Sequence, residues 1–328
     1  MSAHASREPV EVVERDGRRQ TIVDLSDVLS NTTADFEPLR HSIEYMTAEE
    51  GAERPFHGLE PEHWPGRAAM AGEIATLATH AGTHVDAPYH YGPADSGQAR
   101  TIDHVPLSWL FGPGVVLDVR GASRVDGVRA PDVEAELGRV GHELRPGDVV
   151  LVWTGTNLRE PGYDLRHPGL RRDATELLVD RGVRLIGIDA WGLDRPFDVM
   201  ADEAKAGDTD QLWESHVLGR TKEYCQIERL ANLELLPRPT GFTVYAFPYL
   251  IEGASAGWTR VVAIYEEDAC AGGWRGRLRW SRAPDAGSAS RSPRASRARA
   301  RASPCTTAAR RRAPSRPRSS CGAWVGER

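Results

Sequence analysis

The chain has 328 residues, 40% hydrophobic and 27% charged, enough for one large or two small domains with a sizeable core. Its net charge of −6 is uneven: residues 281–328 hold twelve arginines against Asp285 and Glu327, a net of +10, which leaves −16 on the remainder. An acidic body argues against nucleic acid as its partner, no run of about 20 apolar residues offers a membrane span, and Cys225, Cys270, Cys305 and Cys321 include no close pair for a disulfide framework or a CxxC zinc site.

The opening "MSAHASREPVEVVERDGRR" is charged and lacks the apolar centre of a secretory signal. Residues 1–20 therefore read as an N-terminal segment and the expected location is the cytoplasm. "TIVDLS" at 21–26 is the first expected strand, followed by a turn-rich connection over 27–70. A connection of that length without periodicity suits an active-site cover or an interface arm. "EIATLATHAGTHVDA" alternates like a strand, and "GVVLDVRG" at 114–121 is a short buried one. "RAPDVEAELGRV" reads as a helix, with Pro131 in its first turn and Asp132 and Glu134 near its positive end. "PGDVVLVWTGTN" is a turn and a buried strand, "RRDATELLVDRG" a helix closed by Gly182, and "VRLIGIDA" the next buried strand. "CQIERLANLELLP" follows, then two strands in "GFTVYAFPYLIEG" and "TRVVAIYEE". Strands alternating with helices predict an α/β domain over 21–270.

Residues 271–328 are an Arg/Ala/Ser/Pro mixture with almost no large aliphatics. Such a segment cannot bury enough apolar surface to offset its folding entropy and reads as a disordered tail. A basic arm for anionic partners is one reading of it. The preferred one is a frameshift product, since a GC-rich gene read in a shifted frame gives this mixture.

The chemistry concentrates in "ATHAGTHVDAPYHYG", residues 79–93. A helix would place His80 and His84 on one face, but Gly82 and Pro88 oppose a helix. In a strand, His84 and Asp86 point to the same side, and Gly82 lets the backbone bring His80 to the same point. Two imidazoles and a carboxylate are a ligand set for Zn2+ or Mn2+ with positions left for water. His90 is a further ligand or a proton carrier beside the metal. Thr154, Thr156 and Asn157 follow a buried strand, and Asp189 and Asp194 in "GIDAWGLD" are candidates to support ligands or loops. Trp64, Trp191, Trp213 and Phe56 are candidates for an aromatic wall. Neither a GxSxG elbow nor a nucleotide-binding glycine fingerprint is present.

"HAGTHVDAPYH", with "PGDVVLVWTGTN", "GVRLIGIDAWGLD" and the closing "IERLANLELLP…GFTVYAFP…WTRVVAIYEE", resembles the metal-dependent cyclase-like hydrolases, the family of bacterial kynurenine formamidase and isatin hydrolase. The resemblance implies a swivelling β/β/α-type domain with a mixed sheet flanked by helices. It implies that His80, His84 and Asp86 hold a first metal, Asp86 bridges to a second, and His90 is the acid/base. In the formamidase branch a later His and Glu twelve apart complete a binuclear site, and His216 and Glu228 have that spacing. The isatin hydrolase branch resembles a mononuclear variant in which a Gln is a ligand, and Gln226 leaves one or two ions open. A divalent ion lowers the pKa of its water from 15.7 to about 7, so attack on an amide, lactam or lactone carbonyl of a small cyclic or aryl substrate follows. A cyclase or dehydratase on the same metal, and a metal-containing binding protein, are the alternatives. Members of the family are commonly dimers or tetramers, so a homodimer or homotetramer is expected. The chain exceeds the compact formamidases at 27–70, around 157–170 and around 194–213, which carry His57 and His167.

Overall fold

The computed structural model describes residues 8–268 apart from 38, and the tail assigned to 271–328 lies outside them. In chain order the elements are β1 (Val10–Arg15), β2 (Arg18–Asp24), β3 (Ser42–Met46), α1 (Ala48–Ala52), β4 (Gly72–Thr76), β5 (His84–Asp86), β6 (Phe111–Asp118), α2 (Ala130–Val140) and β7 (Val149–Trp153). Then come α3 (Arg172–Asp180), β8 (Leu185–Ile188), α4 (Phe197–Lys205), α5 (Glu214–Gly219), β9 (Cys225–Glu228), β10 (Thr240–Tyr245), β11 (Ala256–Trp258) and β12 (Val262–Asp268). The expected α/β class is found, as one large mixed sheet flanked by few helices.

Ten strands form that sheet in the order β1-β2-β12-β10-β6-β7-β8-β9-β5-β11. The centre, β6-β7-β8-β9, is parallel, and its strands are joined through α2, α3 and the α4–α5 segment. β7, β8 and β9 are buried at every position, because a parallel strand is covered on both faces. Their aliphatic residues alternate between two cores. Val150, Val152, Ile186 and Ile188 pack with Val133 and Leu137 of α2 and Leu178 of α3 on one side. Val149, Leu151 and Leu185 pack with Val23, Phe242 and Ala263 on the other. All strand pairs outside the parallel centre are antiparallel.

Three expectations change. The first strand runs over Arg18–Asp24 rather than 21–26, and β1 inside the 1–20 segment pairs with it. β1 is exposed at four of its six positions, so it carries no apolar alternation to read. The apparent single run entering the histidines is two strands in two sheets: β4 pairs with β3, while β5 belongs to the large sheet. Gly82, at φ +61°, lies in the turn between them, a conformation that favours glycine. The 27–70 connection holds β3, α1 and short 3-10 turns; α1 is capped by a reciprocal Thr47–Glu50 box. α2 and α3 stand where expected. Pro131 lies in the first turn of α2, and the Gly182 N–H closes on the Val179 carbonyl at 3.0 Å. No described helix is long and apolar enough to cross a membrane.

Candidate metal centre

β5 lies between β9 and β11, with His84 opposite Glu228 and Asp86 opposite Gln226. Directly opposed residues of an antiparallel pair share a face, so this register alone gathers two carboxylates, an imidazole and an amide. His84 is fully buried; its Nδ1–H donates to the Gly82 carbonyl at 2.8 Å, which leaves the Nε2 lone pair directed at the carboxylates. Nε2 lies 3.2 Å from Asp86 Oδ1 and 3.6 Å from Glu228 Oε2. His80 enters from the turn before β5, with Nδ1 2.8 Å from Asp86 Oδ1 and Nε2 3.0 Å from Ser255 Oγ. His90 lies in the 3-10 turn Pro88–Tyr91, its ring centroid 4.2 Å from that of His80 and 5.4 Å from that of His216.

His216, on α5, is set by Asp194 just beyond β8. The Asp194 carboxylate accepts the His216 Nδ1–H at 2.5 Å and the Ser215 N–H at 2.6 Å. The remaining ring nitrogen of His216 is then free to serve as a ligand. A second carboxylate does scaffold work: Asp189 accepts from the Thr154 N–H at 2.7 Å and the Gly155 N–H at 2.8 Å.

The residues fit a divalent cation. His84 Nε2 and both Asp86 oxygens are buried without a properly oriented hydrogen bond, despite their short mutual approaches. Buried polar atoms left that way are costly, and convergent lone pairs with no proton between them are what a cation satisfies. Two ligand groups share Asp86: His80, His84 and Asp86, and Asp86, His90 and His216; within each the donor atoms lie within 4.8 Å of one another. Glu228 stands beside His84 but joins neither group. Burial opposes ionisation of Asp86, yet His84, His90 and His80 hold its carboxyl well below the usual range. Burial, reinforced by the Asp86 charge, pushes Glu228 up to about 8. Burial also pushes His90 down to about 4 against the pull of Asp86, so its ring is neutral.

His80, His90, His216 and Glu228 line a cavity of about 220 Å³, with His84 and Asp86 buried outside its lining. Trp191, Phe197, Met200 and Trp213 wall one part of it, and Glu37 and Arg229, paired with each other, another. Of the four residues expected to form an aromatic wall, Trp191 and Trp213 do so. Phe56 and Trp64 instead pack on each other within the 27–70 connection, at 6.2 Å, and do not line this cavity. His57 packs on Phe56, whereas His167 lines the cavity with Nε2 3.0 Å from the Asp194 carbonyl. Thr156 and Asn157 line a separate polar cleft with Asp189.

The profile of a family described as putative cyclase matches residues 23–195. The chain belongs to this family. It is 32% identical to kynurenine formamidase of Paracidovorax citrulli over 192 residues, 57% of this chain and 76% of that protein. It is 26% identical to kynurenine formamidase of Bacillus cereus over 149 residues and spans 65% of that relative's length. Isatin hydrolase A of Labrenzia aggregata, solved with benzyl benzoate, shares the fold at TM-score 0.60 and 24% identity, covering 76% of this chain and 94% of its own. Isatin hydrolase A of Ralstonia solanacearum does so at TM-score 0.57 and 21% identity, covering 75% and 92%.

The family match carries His80, His84, Asp86 and His90 and ends at Arg195, before His216 and Glu228. Sequence reasoning passed over Ser255, Arg229 and Phe197 at this site. Arg229 follows Glu228 at φ +57°, unusual for a side-chain-bearing residue, and no local pattern announces it. Ser255 reaches His80 from 175 residues away, a contact only the assembled sheet reveals.

Proposed function

We propose that the chain is a metal-dependent hydrolase that cleaves an amide, lactam or lactone bond of a small cyclic or aryl substrate. The observation that carries this reading is the convergence of His80, His84 and Asp86, with buried lone pairs on His84 and Asp86 lacking hydrogen bonds, behind an aromatic-walled cavity that His80 lines. Kinship with kynurenine formamidases supports an aryl amide as the substrate class. His80, His84 and Asp86 would hold the cation, with His216 and Glu228 beside them for a second one, and imidazole with carboxylate suits Zn2+ or Mn2+. Such a cation supplies Lewis acidity toward a carbonyl oxygen and makes a bound water acidic.

The chain's own residues account for the rest. His90, which lines the cavity beside Asp86 and His216, accepts the proton that the attacking water loses and returns it to the leaving nitrogen or oxygen. Trp191 and Phe197, in edge-to-face contact at 5.8 Å, offer an apolar surface to a flat ring and shield it from water. Asp194 keeps His216 in one tautomer. The test is hydrolysis of N-formylkynurenine, isatin and a small lactone by protein purified with and without chelator. Turnover of at least one substrate, lost on metal removal and restored by Zn2+ or Mn2+, is expected. Activity that survives complete removal would exclude this reading, and ring closure with release of water would favour a cyclase or dehydratase instead.

A further inference from the structure

The insertion around 194–213 does more than wall the cavity. Arg195, only 2% exposed, ties it together: its guanidinium donates to Glu203 at 2.6 and 2.9 Å and to the Val125 carbonyl at 2.8 Å. Arg195 also lies 3.6 Å from Glu214, which pairs with Arg171 at 2.6 Å. The start, middle and end of the segment are thus fastened around one buried cation. Trp213, at the end, adopts φ +58° and ψ +43°, a left-handed conformation that side-chain-bearing residues rarely take. Its N–H points to Met200 Sδ at 3.2 Å. In this pose the indole lies flat on the His216 imidazole, with centroids 4.3 Å apart and planes within 16°.

The Asp194 bond fixes one nitrogen of His216 but leaves the ring able to tilt about that bond. The indole face removes this freedom, and Tyr91 meets the same imidazole edge-on at 5.3 Å. Indole faces also attract electron-poor partners, and an imidazole gripping a cation is poorer in electrons than a free one. The stack therefore favours the liganded state over the free state, which is what a gain in affinity requires.

We propose that Trp213 is a positioning residue for the metal centre: stacked on His216, it fixes the imidazole plane and raises the affinity of the site for a divalent cation. The assignment rests on reading His216 as a ligand. Its test is calorimetric titration of metal-free full-length protein with Zn2+, comparing wild type with Trp213→Phe and Trp213→Gly. Glycine accepts the left-handed backbone, so Trp213→Gly removes the ring without opposing the local fold. The Zn2+ dissociation constant is expected to rise roughly ten- to hundredfold in Trp213→Gly and by less in Trp213→Phe, as for other residues that support a ligand. Zn2+ is also expected to alter the tryptophan emission of wild type more than that of Trp213→Phe. Equal affinities in all three proteins, with only the KM of an aryl substrate raised, would reduce Trp213 to a cavity wall and overturn the proposal. If Trp213→Gly fails to fold, the Phe variant and the emission comparison decide. Wild-type protein that takes up no Zn2+, Mn2+ or other divalent ion would overturn the metal-centre reading and this proposal with it; uptake by wild type with unchanged variants would overturn this proposal alone.

Discussion

His90 occupies an ambiguous place: it is close enough to Asp86 and His216 to count as a ligand, and it is also the ring that burial keeps neutral. The two roles have different consequences on truncation. A proton carrier lost to His90→Ala lowers turnover by about 10²–10⁴-fold while leaving the metal content unchanged. A ligand lost at the same position lowers the number of ions bound per chain. Metal analysis and steady-state kinetics on the one variant therefore separate them, and the acid/base role predicts a drop in kcat with full metal content. Unaltered kcat would remove His90 from the mechanism. Asp86 differs in having no such ambiguity, since it is common to both ligand groups.

At the scale of elements, the turn leading into β5 governs whether His80 joins His84 and Asp86. Gly82 sits there at φ +61°, its carbonyl accepting from His84 and its N–H donating to Glu37 at 2.8 Å. A Cβ at this position would meet Leu29 at 3.4 Å, so space is adequate and the cost lies in the backbone. Gly82→Ala is expected to cost about 1–2 kcal/mol of stability in urea unfolding and to weaken metal binding, because the turn relaxes toward negative φ and carries His80 away. An unchanged metal affinity would show that His80 is not fixed by this turn. The same element shows why part of the site was legible in sequence: His80, His84, Asp86 and His90 fall within eleven residues, and a strand's period of two puts His84 and Asp86 on one face. β7 announced itself through an unbroken apolar run and β8 through one interrupted only by Gly187, and α2 and α3 through Pro131 and Gly182 at their ends. β1 did not, since it is mostly exposed, and the mostly exposed β4 was legible only as the start of one run continuing into β5. The pairing that sets Glu228 opposite His84, and the reach of Asp194 to His216, arise only when distant strands and helices meet.

At the scale of the whole molecule, several weak acids are sealed inside the fold with their protons. Burial pushes the Cys225 thiol and the Tyr224 and Tyr265 hydroxyls well above their ordinary values of 9.0 and 10.0. The Tyr224 hydroxyl donates to the Ser215 carbonyl at 2.8 Å and that of Tyr265 to the Arg238 carbonyl at 2.5 Å, so ionisation would turn each donor into a charge facing an acceptor. The unfolded chain loses these protons as pH passes 9 to 10, whereas the folded chain keeps them. Where the native state binds more protons than the unfolded one, stability falls as pH rises. Each group therefore adds a loss of up to about 1.4 kcal/mol per pH unit once the pH exceeds its ordinary value. Urea unfolding followed from pH 8 to 10.5 should show the midpoint falling progressively above pH 9, and Tyr265→Phe should flatten the steepest part of that fall. Cys225 should also resist iodoacetamide at pH 8 in the native protein and react once urea unfolds it. Rapid native-state alkylation of Cys225, or a midpoint independent of pH across this range, would show that the interior behind the candidate metal centre admits water and is not the sealed core that β9 and β12 form here.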